Sequence, residues 1–125
     1  MIKSKPVSKL RETTMAEIVS IHERIAPPAA DYIAALEAVQ QRVLWLCTNI
    51  VHHANNVRPN PDKSKIGGHQ ASSASVVSIM TALYFHFLAE GDRVAVKPHA
   101  SPVFHAIQYL LGQLPQEYLT QLRSF

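Results

Sequence analysis

The sequence is short of cysteine, glycine and charge, and each shortage excludes something. One cysteine, Cys47, stands among 125 residues. A lone thiol rules out an internal disulfide and fits a reducing compartment. Beside Leu44, Trp45, Leu46 and Ile50 it reads as a small core hydrophobe. The four glycines, at 67, 68, 91 and 112, form no Walker loop, GxGxxG or GxSxG. No Cys/His spacing suits structural zinc. The opening residues hold no apolar stretch of about seven residues, so no signal peptide is expected. No segment approaches the roughly eighteen continuous apolar residues of a membrane span. A cytoplasmic protein is expected.

Charged residues make up only 17% of the chain, against 47% hydrophobic. Charge normally coats a surface, so its scarcity points to a surface covered by further chain or by a partner, or else to one rich in Ala and Ser. The net charge of +3 arises from 12 Lys+Arg and 9 Asp+Glu. Lys3, Lys5, Lys9 and Arg11 carry most of the excess, and Arg58, Lys63 and Lys65 form a second small group. Neither is a continuous basic run, and neither has interleaved aromatics, so nucleic-acid binding is not expected.

Apolar periodicity divides the rest. Met15, Ile18, Val19, Ile21 and Ile25 predict a short helix that Pro27-Pro28 ends. Residues 1–28 thus read as an N-terminal extension to a domain over 29–125. Leu36, Val39, Val43, Leu46 and Ile50 lie on one stripe and predict a helix over 29–54, with Asn55 and Asn56 as terminators. A second helix is predicted over about 71–88. It begins with small residues, Ala71 to Ser75, and is apolar on more than one face from Val76 to Phe87, which predicts burial on most sides. Gly91-Asp92 marks a turn, and Arg93-Val94-Ala95-Val96 reads as a buried strand. Ser101 and Pro102 open another helix, Gly112 closes it, and Pro115 opens a last amphipathic segment. One strand cannot satisfy its own backbone groups. The fold class expected is therefore α/β, mostly helical with one strand of a parallel sheet, and the domain is expected to be incomplete. The competing reading is helix-only, with 93–96 an extended connector.

Two loops carry chemistry. In Gly67-Gly68-His69-Gln70-Ala71-Ser72, the glycines allow a tight turn and close approach of a ligand, and the histidine opens a helix. In Lys97-Pro98-His99-Ala100-Ser101, a histidine lies between the predicted strand and a helix, the edge at which open α/β sheets bind ligands. His69 and His99 are expected to face one pocket. His52 and His53 sit near a helix end, where a cation is favoured, and His86 and His105 fall within apolar helices, where hydrogen bonds would satisfy them.

Over residues 36–123 the order of long helix, Gly-Gly-His-x-Ala-Ser turn, apolar helix, strand and x-x-His-x-Ser-Pro turn resembles the cofactor-binding N-terminal domain of thiamine-diphosphate enzymes of the transketolase superfamily. Ala71 and Pro102 make it most similar to the homodimeric pyruvate dehydrogenase decarboxylating component. The resemblance implies an oxidoreductase or transferase acting on 2-oxo acids or ketoses, with thiamine diphosphate and magnesium. It implies that His69 faces the reacting carbon as the catalytic residue, that His99 lies beside the cofactor, and that Ser72 lies near its diphosphate. Lys97 and Pro98 depart from the glutamine and glycine usual before the second histidine. The family's Gly-Asp-Gly magnesium motif is missing from the chain. The expectation is thus a partial enzyme, inactive alone, whose partner is the remainder of the enzyme or a second subunit of a homodimer. The alternative is a non-catalytic helical protein-interaction module.

Overall fold

The computed structural model describes residues 29–62 and 64–124. The basic opening stretch and the helix expected between Met15 and Ile25 lie outside them. The principal element is α1, Ala30–His52, a 23-residue helix with Asp31 in its first turn, where a carboxylate meets the positive end of the helix dipole. Its stripe buries Val43, Leu46, Cys47, Ile50 and Val51. At His53–Val57 the helix widens into a π-turn that closes on a bond from Arg58 N to His53 O at 2.8 Å.

After a loop come α2, Gln70–Ala74, and α3, Val77–Ala82, which widens into a second π-turn at Leu83–Phe87. The single helix predicted over 71–88 is thus in pieces. The break falls at Val76, whose backbone (φ −109°, ψ 0°) leaves the helical region. Serine competes locally with helical hydrogen bonding, as Ser75 does in donating its hydroxyl to Ser72 O at 2.9 Å, and the adjoining β-branched valines favour the helix less. Nor is this stretch buried on most sides: Ile79 is 69% and Phe87 is 56% exposed.

The α/β expectation is corrected here. Among the described residues there is no strand, and 93–96 is an unpaired connector. A strand exists only through the ladder that pairs it, and among the described residues no second segment pairs with this one. Val94 and Val96 are half-buried while Ala95 is exposed, so one side of the connector packs and the other faces solvent. Val96 rests on the main core. The architecture is helical.

A 3-10 turn, Pro98–Ala100, runs directly into α4, Ser101–Leu110, so Ser101 lies in the first turn of the helix and does not cap it. The helix ends as its sequence predicts: Gly112 N donates to Tyr109 O at 3.0 Å and Gln113 N to Gln108 O at 2.8 Å, the paired bonds of a Schellman closure. A final 3-10 turn, Gln116–Thr120, follows Pro115.

α4 lies along α1, and α2 and α3 pack against both. Val43, Leu46, Cys47 and Ile50 of α1 meet Val77, Met80, Val103, Ala106 and Ile107 in one core. Burial pushes the Cys47 thiol up from its ordinary pKa, and it donates to Leu44 O at 3.2 Å. Both mark it as packing and not as a nucleophile. Tyr32 pins the other end of α1 by donating its hydroxyl to Phe85 O at 2.8 Å. No helix among the described residues is long and apolar enough to cross a membrane.

Candidate functional site

The two histidine loops meet. The rings of His69 and His99 stack with centroids 5.2 Å apart and planes 4° from parallel. Both side chains are exposed, at the mouth of a cleft of about 500 Å³. Its walls come from three places: Gly67 and Gly68; Pro98, Ser101, Pro102 and His105; and Leu122 and Arg123.

The first loop is held down over the end of α1. Gly67 and Gly68 adopt φ of +95° and +92°, a region that side chains other than hydrogen rarely tolerate. A Cβ on Gly68 would lie 3.2 Å from both methyl groups of Val51, and one on Gly67 would run into the Arg123 guanidinium. Arg123 Nη1 donates to Ile66 O at 2.8 Å, and Asn55 exchanges two hydrogen bonds with Gly67. The helix that His69 opens has only five residues, so it supplies little of the helix-end field that the sequence pattern led one to expect.

The second loop is tied to the first through α2. Ser73, fully buried, donates its hydroxyl to His99 O at 3.4 Å, a long bond, and its N–H to His69 O at 3.0 Å. Ser72, the residue the resemblance favoured for the diphosphate, is half-buried and is not among the residues lining the cleft. Of the small residues of α2 only Ser73 is buried, and it lets this short helix approach α1 and the 98–100 turn closely.

The cleft is lined by three histidines and an arginine, with no carboxylate. That donor set suits an anion. It does not suit a hard divalent cation, which needs oxygen ligands. No group of three or more His, Cys, Asp or Glu converges among the described residues to hold a metal ion.

His105 and Arg123 were not foreseen. His105 was legible in hindsight, because Ser101 and His105 are one helical turn apart and share a face. Arg123 was not, since only tertiary structure returns it to Ile66. Of the remaining histidines, His52 meets Asn56 Nδ2 through Nδ1 at 3.3 Å, and His86 packs against Tyr32 and Phe87.

Burial holds the His105 imidazole below its ordinary pKa of 6.5. The folded chain therefore binds fewer protons than the unfolded chain between the depressed value and 6.5. Stability contributed by neutral His105 is fully present above 6.5, drains away as pH falls below it, and levels off beneath the folded value. Urea denaturation across this range is expected to show that slope, and His105→Gln is expected to flatten it. An unchanged slope in the variant would refute the assignment.

A second cleft, of about 460 Å³, is apolar and lies on α1 between Leu44, Trp45, Thr48 and Gln70. It carries no titratable cluster.

Comparison with known proteins brings no match: no family model, no curated protein and no solved structure is significantly similar to this chain.

Proposed function

We propose that this chain supplies the histidine-lined part of a thiamine-diphosphate site, in an enzyme acting on 2-oxo acids or ketoses. The observation that carries this reading is the stacked pair, His69 against His99, each presented by the loop whose sequence resembles the cofactor loops of that superfamily. A helical fold with no strand among the described residues gives the reading no help, so it rests on the loops. A buried free thiol at Cys47 suits a reducing interior such as the cytoplasm.

The residues present fit one part of the cofactor and not the other. His99 and Arg123 suit its anionic end, and the exposed imidazole of His69 suits proton transfer. Nothing in the cleft would hold magnesium. When bound, thiamine diphosphate supplies the carbon nucleophile and the electron sink for breaking a bond next to a carbonyl. His69, at the open mouth, gives or takes a proton at an imidazole nitrogen. His99 orients the ring stacked on it, and Arg123 offers charge to an anion. A partner chain, or a second subunit, supplies the metal anchor, and the chain alone has no activity.

The test is a titration of the isolated chain followed through the ring protons of His69 and His99. Thiamine diphosphate is expected to shift both, with a Kd of about 1 mM, worth about 4 kcal/mol. Magnesium should add nothing. Silent rings in the millimolar range would end the proposal. Micromolar, magnesium-dependent binding would end the claim that the site is partial.

A second reading has its own observation. Trp45 is 60% exposed beside an apolar cleft, as suits a helical interaction module. It predicts silent histidines together with a partner whose binding is lost in Trp45→Glu.

A further inference from the structure

The stacked histidines need a frame that holds one loop against the other, and one amide joins the His69 loop to the end of α1 at both sides of a single residue. A carboxamide has two N–H donors and an oxygen acceptor. Asn55, half-buried in the π-turn that ends α1, uses both donors and the acceptor. Its Nδ2 donates to Val51 O and to Gly67 O, both at 2.8 Å. Its Oδ1 accepts from Gly67 N at 3.1 Å. The side chain thus pairs with both sides of the Gly67 backbone, as a neighbouring strand would, across a separation of 12 residues.

We infer that Asn55 is the positioning residue that sets His69 against His99. The two rings share one anchor, Ser73, which bonds the carbonyl of each, but only the His69 loop is also seated on α1. His99 is held from α2, through Ser73. The His69 loop is held from α1, through Asn55 at Gly67 and through the seat of Gly68 on Val51. Remove the amide, and Gly67 N–H and C=O both lose their partner while its positive φ still costs free energy. The loop then relaxes and carries His69 off its stack. The side-chain type is specific. An aspartate keeps the acceptor for Gly67 N–H but turns a second acceptor towards Gly67 O.

Asn56 supplies the control. It is the same residue type in the same π-turn, but its amide bonds only within the helix, to His52 O at 3.1 Å and His52 Nδ1 at 3.3 Å. Neither of these hydrogen bonds reaches the histidine loop.

The experiment compares the chain with Asn55→Ala, Asn55→Asp and Asn56→Ala. The first readout is the through-space proton contact between the His69 and His99 rings, measured without ligand. The wild type and Asn56→Ala are expected to keep it, and both Asn55 variants to lose it while circular dichroism shows the helices intact. Retention in Asn55→Ala, or equal loss in Asn56→Ala, overturns the inference. Amide exchange at Gly67 in the wild type guards against variants that fail to fold: the N–H should be protected, and exchange at the rate of an unstructured chain would also overturn the inference. The second readout rests on the thiamine-diphosphate reading: Asn55→Ala should bind that cofactor about tenfold more weakly. If the ring contact behaves as stated while no protein responds to the cofactor, the proposed function fails and the positioning role stands.

Discussion

Ile107→Ala is expected to lower the unfolding free energy by about 2–5 kcal/mol, the range for truncating a buried isoleucine. Ile107 is fully buried on α4, in the core with Val43, Leu46 and Ile50 of α1. Removing its outer carbons forfeits their transfer from water and leaves a hole that helices packed from both sides cannot close. Typical domains hold only about 5–15 kcal/mol, so one residue commands a large share. Ile79→Ala is the comparison. Ile79 is 69% exposed on α3, and its truncation should stay within about 0.5 kcal/mol. Urea denaturation followed by circular dichroism measures both. A loss below about 1 kcal/mol at Ile107, or equal losses at the two sites, would mean that α1 and α4 do not share the core described.

The consequence reaches the cleft. α4 carries Ser101, Pro102 and His105 into its wall, and the turn leading into α4 carries His99. α1 carries Asn55 and Val51, which seat the His69 loop. The α1–α4 packing is therefore the distance setting between the two histidines, and a softened core should loosen the stack before it unfolds the chain.

Local rules made much of this legible. The stripe through Val43, Leu46 and Ile50 predicted α1 and its buried face, because a 3.6-residue period needs no long-range information. Gly112 predicted the end of α4 for the same reason. Where the reading of the residues failed, long-range structure decided. Arg93–Val96 has the composition of a buried strand, but a strand is a relation between two segments, and none of the described residues pairs with it. Asn55 read as a helix terminator, but it lies inside the π-turn His53–Val57 and the helical run ends only at Arg58; nothing local says that its amide closes on Gly67. Ser72 and Ser73 are indistinguishable in sequence. Only the break at Val76, which sets how short α2 is and how it lies, puts Ser73 inwards. His69 and His99 were expected to meet through the helix and the strand between their loops, and among the described residues no strand is there to place them. The structure reaches the same juxtaposition by helices alone.

Gly68→Ala is expected to damage the site more than its single added carbon would suggest, and the chain contains its own control. Gly68 and Gly91 share nearly the same backbone, φ of +92° and +93°. Alanine at Gly91 meets nothing within 4 Å, so it should cost only the strain of a left-handed residue, about 1–2 kcal/mol. Alanine at Gly68 adds to that strain a Cβ 3.2 Å from both Val51 methyl groups and 3.5 Å from Leu122 Cδ2. Val51 is itself buried and cannot swing away freely. Overpacking of this kind adds about 1–3 kcal/mol, and the softest way out is for the loop to lift from α1, taking His69 from His99. Gly68→Ala should therefore lose both stability and the ring contact, and Gly91→Ala a smaller amount of stability alone. Val51→Ala combined with Gly68→Ala should recover the ring contact, since it removes the two methyl groups in the way. Equal stability losses at the two glycines, or no recovery in the double variant, would show that the loop does not rest on Val51 and that the geometry bringing the histidines together has another origin.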